Sequence, residues 1–238
     1  GLLATLRNTA LAAALGYAGI AVVTAALIAL LGLKQRVFLS PLVFGNTGNI
    51  GLPLALFAFG TTGLDYAVVI FAVMAVLSFT FGVWIVSGQR SPGAALREPM
   101  LWGTLLGALF LYNGWGVPLW AARTLDTIGQ IAIPMMLITL GAAISRLRPA
   151  ALGRAFWLSS LKLFLCIAIA AGAGWLFGLP ELAFAALIVQ LATPVAVTAY
   201  MLAEKYEADP EEVAGLVVVS TLLSIGAIPL MLFVLLPS

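Results

Sequence analysis

The chain has 238 residues, 63% of them apolar, with 11 Lys and Arg, 9 Asp and Glu, no histidine and a net charge of +2. A soluble protein of this length would carry about 60 charged side chains, so a water-facing exterior is excluded and lipid must be the main solvent. Nucleic-acid binding is excluded as well, because the few basic residues form no dense patch.

The missing histidine removes the commonest zinc ligand and general base. The lone Cys166, inside an apolar run, leaves no disulfide framework and no cysteine metal site. No catalytic pair is visible within the apolar runs, so no enzyme activity, metal or cofactor is expected.

A bilayer core about 30 Å thick takes about 20 apolar residues as helix, each span closing its own backbone hydrogen bonds. In chain order the predicted helices cover 10–32, 38–60, 64–87, 99–115, 118–144, 153–178, 181–204 and 211–236. The fold class is thus an all-α polytopic membrane protein with eight transmembrane helices. The first residues lack the basic segment and cleavage pattern of a signal peptide. They also start without methionine, which predicts a processed or truncated beginning.

Segment 38–60 does not read as a plain helix. It contains Gly45-Asn46-Thr47-Gly48-Asn49-Ile50-Gly51-Leu52-Pro53, and Pro53 cannot donate to the Asn49 carbonyl, so a break or kink is predicted there. The glycines allow close backbone approach, and two Asn amides in hydrocarbon are costly unless something bonds them. Segment 181–204 repeats the idea with Gln190, Thr193, Pro194 and Thr198, where Pro194 deprives the Gln190 carbonyl of its helical donor. A broken membrane helix is tolerated where it is buried in protein or lines a wet cavity. Each segment is either a kinked helix packed through small residues or half of a binding site. The two are the middle members of three-helix groups that enter from opposite sides, the sequence pointer to a secondary transporter's substrate site.

Between them, segment 118–144 carries Gln130 and Pro134, read as a cavity lining or as a packing kink. Asp126, one turn before Gln130, either pairs with Arg123 or carries a coupled proton or cation. Lys162, the deepest basic residue, either snorkels to the interface or attracts an anion and gates its passage. The acidic run Glu204–Glu212 reads as helix capping around Asp209-Pro210-Glu211. Tryptophans fall toward the span ends, as in an interfacial belt. Lys34, Arg36, Arg90, Arg97, Arg146, Arg148, Arg154 and Lys205 lie on one side against Arg7 and Arg123 on the other. That bias predicts a cytoplasmic face for the larger set and both chain ends outside the cell membrane.

The Gly45–Pro53 motif, the Gln190–Tyr200 stretch, the following Ala203-Glu204-Lys205-Tyr206 and the Asp209-Pro210-Glu211 turn resemble the two crossover regions of the auxin efflux carrier family, in its bacterial branch. The resemblance covers essentially the whole chain. It implies a ten-helix transporter of two inverted five-helix repeats, often dimeric, whose broken helices meet at a substrate site that moves in an elevator-like way. Residues 1–88 would then be an incomplete first inverted repeat and 89–238 the second, the two absent helices preceding Gly1. The implied substrates are auxin, malate or other small organic anions. Asn46, Asn49, Gly51, Pro53, Gln190, Thr193, Pro194 and Gln130 are the candidate binding residues, and Asp126 and Lys162 the coupling or gating candidates. The coupled ion is left as a proton or sodium, or as none. A sodium-coupled carrier of the bile-acid-symporter type and a non-transporting membrane scaffold are the rival readings.

Overall fold

The computed structural model describes residues 2–88, 99–145, 147 and 149–235; these are helical, with one isolated bridge and no strand among them. Arg90, Arg97, Arg146 and Arg148 of the predicted basic face lie outside the described residues. The elements are α1 (Leu2–Leu30), α2 (Gln35–Val43), a π-helical turn (Thr47–Gly51) running into α3 (Leu52–Leu77), and a second π turn (Ser78–Gly82) before α4 (Val83–Val86). They continue with α5 (Pro99–Asn113), α6 (Leu119–Ile144), α7 (Leu152–Leu176), α8 (Glu181–Leu191), α9 (Val197–Lys205) and α10 (Pro210–Leu235).

The packing is that of a protein dissolved in lipid. Ala12, Ala55, Ala67, Ala170 and Ala186 are fully enclosed, whereas Trp175 is 81% and Phe233 84% exposed. In water such large apolar side chains would be costly to leave exposed. In hydrocarbon, large apolar side chains gain nothing by leaving the solvent, and helices associate through small residues that let backbones approach. By length and composition, the helical stretches Leu3–Leu30, Thr47–Val86, Leu152–Leu176 and Pro210–Leu235 are each able to cross a membrane.

Thr47–Val86 is not one rod. Gly60 sits at φ 68°, ψ −164°, the last residue of the predicted helix 38–60. Only glycine occupies that region without strain. A Cβ at Gly60 would meet no atom within 4 Å, so an alanine there is opposed by the backbone alone. Gly60→Ala is expected to lower stability by about 1–3 kcal/mol, read as a fall in the thermal unfolding midpoint in detergent.

Helix α1 packs on α2, α3, α7 and α8; α3 packs on α8 and α7 on α10. The interruptions after α2 and after α8 are thereby enclosed between α1, α7 and α10. Helix α5 reaches α3, and α6 reaches the first π turn and α9.

At one end of the bundle the predicted basic residues meet acceptors on the turn between α9 and α10, the first turn of α10 and the end of α4. Lys34 Nζ pairs with Asp209 Oδ2 at 2.9 Å, Arg154 pairs with Glu212, and Arg36 donates to the Val86 carbonyl at 2.8 Å and to the Tyr206 carbonyl. Asp209 therefore gives its carboxylate to Lys34 rather than to a cap. Its backbone carbonyl instead accepts the Glu212 N–H at 3.1 Å, opening α10 at Pro210 as expected.

Candidate functional site

Two interrupted helices cross, and the sequence explains how each interruption is made. After α2 the chain turns extended at Phe44, with φ −97° and ψ 121°. Asn46 then restarts the helix by accepting the Asn49 N–H on its Oδ1 at 3.2 Å, as an N-cap asparagine does. The first turn is a π turn: the Gly51 N–H reaches back to the Asn46 carbonyl at 3.1 Å. This corrects the expectation of a break at Pro53. That proline is the second residue of α3 and is buried, with the interruption several residues ahead of it. The chain stays helical through Pro53, which sits where the wide π turn gives way to α3.

At the second interruption the proline does lie in the break. Thr193 Oγ1 donates to the Gln190 carbonyl at 2.7 Å, replacing the bond that Pro194 cannot make. The chain then runs extended through Ala196, φ −68° and ψ 138°, before α9 begins.

The two extended pieces touch as a miniature antiparallel pair. Gly45 bridges Val195, and the Asn46 N–H donates to the Pro194 carbonyl at 2.7 Å. A Cβ on Gly45 would run into Thr193 Oγ1 and stand 2.9 Å from the Thr193 carbonyl oxygen. A Cβ on Gly51 would strike the Gln190 carboxamide. At both positions another element occupies the volume, backbone included at Gly45 and the end of a side chain at Gly51.

Around this crossing the polar bookkeeping does not close. Asn46 Nδ2, Thr47 Oγ1 and both Gln190 side-chain atoms, Nε2 and Oε1, are buried and have no partner among the described residues. Gln190 and Thr47 are fully enclosed and Asn46 is 5% exposed. Buried amides without partners are rare and costly, and here they collect where two backbones are already broken.

The crossing brings together Asn46, Gly51, Gln190, Thr193 and Pro194, with Asn49 and Pro53 on the same helical stretch as Gly51. Asn49 is half-buried on the π turn, with its N–H spent on Asn46. Lys162 joins them from α7: it is 4% exposed and donates to the Thr193 carbonyl at 2.9 Å. Snorkelling is thereby overturned, since the ammonium points into the bundle. Gln130 and Asp126 are not brought in. Both are exposed on α6, where Gln130 Nε2 donates to Asp126 Oδ2 at 3.1 Å, one turn away. The ion pairs among the described residues do not include Asp126 with Arg123.

Three hydroxyls escaped the sequence reading as site residues. Thr47 stands in the motif but was passed over for the asparagines. Ser220 of α10 accepts the Val195 N–H at 3.0 Å and so holds the second break from behind. Ser159 of α7 is buried without a partner for its oxygen. The signal for Ser220 was available as a polar Ser220, Thr221, Ser224 patch in an otherwise apolar helix.

The Membrane transport protein family matches residues 91–232, more than half of the chain. An uncharacterized transporter of Methanothermobacter thermautotrophicus is 30% identical over 193 residues, covering 78% of this chain and 63% of its own length. A second uncharacterized transporter, from Methanocaldococcus jannaschii, is 26% identical over 211 residues, covering 82% of this chain and 66% of its own length. The chain therefore spans about two thirds of the length of these relatives. With apolar helices, two crossed breaks and this match, the chain belongs to the membrane transport protein family, the auxin-efflux-carrier-like group.

Proposed function

We propose that the chain carries the substrate site of a secondary active transporter that moves small organic anions, auxin-like or dicarboxylate, by elevator-type alternating access. The observation that carries this reading is the set of unpartnered polar atoms on Asn46, Thr47 and Gln190 at the crossing. Asn46 Nδ2 and Gln190 Nε2 are neutral donors suited to a carboxylate that must leave as readily as it arrives. The π turn and α9 both begin at the crossing, and their N-terminal ends add positive potential. Asn49 and the Gly51 backbone complete the wall, Pro53 and Pro194 shape it, and Thr193 holds the break with its hydroxyl.

The reading includes eight crossings in two inverted halves, 1–88 and 89–238. The end where Lys34, Arg36 and Arg154 gather faces the cytoplasm. Exposed apolar faces on α5 and α6, such as Leu106, Trp120 and Ile128, meet lipid or a second copy in a homodimer. Gln130 and Asp126 then belong to the stationary wall past which the site moves, consistent with α6 lying on the π turn.

The test is flux in proteoliposomes with a panel of mono- and dicarboxylates, with and without sodium and proton gradients. Asn46→Asp keeps the oxygen that caps Asn49 but removes the amide donor and adds a repelling charge. It is expected to cut anion flux at least about tenfold while still inserting in the membrane, with a lowered unfolding midpoint because the added carboxylate is costly to bury. Wild-type flux no greater than in empty vesicles across the panel would leave a membrane scaffold as the role.

A further inference from the structure

Two half-helices of equal length meet at the crossing. Helix α2 runs into the first break and α9 runs out of the second, nine residues each, or about 13.5 Å of helix. A helix so short holds its direction only through what it is attached to. At one end both are attached at the crossing, where Gly45 bridges Val195 and the Asn46 N–H donates to the Pro194 carbonyl. Their other ends lie where Lys34, Arg36 and Arg154 gather, and there a single side chain joins them.

Arg36, in the first turn of α2, donates from Nε to the Val86 carbonyl at 2.8 Å and from Nη2 to the Tyr206 carbonyl. Val86 is the last residue of α4 and Tyr206 is the C-cap of α9. Such carbonyls lack a donor within their own helix and stand at the negative pole of its dipole. Helix α4 packs on both α2 and α9, so the guanidinium sits where three helix ends converge. Arg36 belongs to neither ion pair formed among the described residues, and its charge is answered by two helix ends. A guanidinium suits this task because its N–H groups diverge in a fixed plane and hold two acceptors at a set angle. Lys34, two residues earlier, is different. Its pair with Asp209 is 74% and 49% exposed, and exposed pairs contribute little.

We propose that Arg36 is a positioning residue for the crossing: by capping α4 and α9 together it fixes the far ends of α2 and α9. The register of Gly45 and Asn46 against Pro194 and Val195 is then set from both ends of the half-helices. Its consequence for flux rests on the transport reading above; its consequence for the crossing's backbone does not.

The exchange arm follows backbone amide hydrogen exchange in the purified chain in detergent. Two reporters lie at the crossing: the Asn46 N–H on the Pro194 carbonyl, and the Val195 N–H on Ser220 Oγ at 3.0 Å. Arg36→Ala is expected to speed exchange at both by about 2- to 30-fold, the size of coupling carried by residues that touch neither site. The middle of α7, around Cys166 and Ala170, is expected to exchange as in wild type, and Lys34→Ala to leave both reporters unchanged. Faster exchange confined to residues 204–208 would make Arg36 a local cap and overturn the proposal. A rise across the whole chain, or an equal effect from Lys34→Ala, would overturn it too. Should Arg36→Ala not fold, Arg36→Lys keeps the charge and gives up the fork. It is expected to speed exchange at the same two amides by a smaller factor, and wild-type exchange counts against the proposal.

The flux arm measures carboxylate uptake in proteoliposomes against concentration. Arg36→Ala is expected to raise the half-saturating concentration about 2- to 30-fold with the maximal rate near wild type, and Arg36→Lys to recover most of that loss. A lowered maximal rate at unchanged half-saturation would overturn the positioning role. Absence of flux for every carboxylate, with the exchange result as expected, would remove the anion-transport reading and leave the hold of Arg36 on the crossing standing.

Discussion

Replacing Gln190 by leucine is expected to abolish anion flux while leaving the protein at least as stable as wild type. The side chain is fully enclosed, and neither its Nε2 nor its Oε1 has a partner among the described residues. A buried polar group left unpaired costs about 1–3 kcal/mol, and leucine fills a similar volume without that cost. The bond that stabilises the break at this residue uses its backbone carbonyl, which accepts from Thr193 Oγ1 and survives the substitution. The unfolding midpoint should therefore stay level or rise, by an amount equivalent to as much as about 1–3 kcal/mol, and flux should fall to the level of empty vesicles. A structural glutamine would behave in the opposite way, with stability lost first and flux in proportion. Full flux by Gln190→Leu would remove the residue from the site; a lowered midpoint would mean that its amide has a partner after all.

The second break was legible because proline acts locally. Pro194 has no N–H, the residues around it offered a hydroxyl to compensate, and the structure uses Thr193 in that way. At Pro53 the same rule mispredicts the break, because the proline sits where a wide π turn passes into α3 and the chain stays helical through it. The informative residue was Asn46, whose side chain caps the N–H three positions on.

Lys162 was ambiguous for a different reason. Charge and depth are written in a sequence, but the direction a side chain takes depends on which face of α7 meets the Thr193 carbonyl, and no spacing encodes that contact. The polar patch around Ser220 is visible in the sequence, but its bond to the Val195 N–H is not, since it joins two distant elements. For Gln130 and Asp126 the spacing itself carries the signal. Their separation by one turn is the spacing at which a glutamine and an aspartate bond along one helix, and they do so on the exposed face of α6.

Two glycines give the sharpest test that the crossing, rather than either helix alone, is the working unit. Alanine at Gly45 would place its Cβ against Thr193 Oγ1 and 2.9 Å from the Thr193 carbonyl oxygen, which Lys162 holds in place. Backbone cannot rotate away as a side chain can, so relief requires the extended segments to part. That sacrifices the Asn46 to Pro194 hydrogen bond of 2.7 Å. Overpacking of about 1–3 kcal/mol and a lost hydrogen bond of about 0.5–1.5 kcal/mol together predict a destabilisation of about 2–4 kcal/mol, with flux abolished.

Alanine at Gly51 meets only the flexible end of Gln190. The backbone there, at φ −66° and ψ −45°, is ordinary helix, where alanine is favoured over glycine by roughly 0.5–1 kcal/mol. Stability should then be nearly unchanged, yet the displaced carboxamide can no longer present its donor to a carboxylate, and flux should fall at least about tenfold. The pair separates the two things the crossing does: Gly45 keeps the broken backbones joined, and Gly51 makes room for the group that binds. Unfolding midpoints and proteoliposome flux on both variants decide it, and equal losses of stability at the two positions would mean that the Gln190 side chain is as fixed as the Thr193 backbone and unable to serve a substrate that comes and goes.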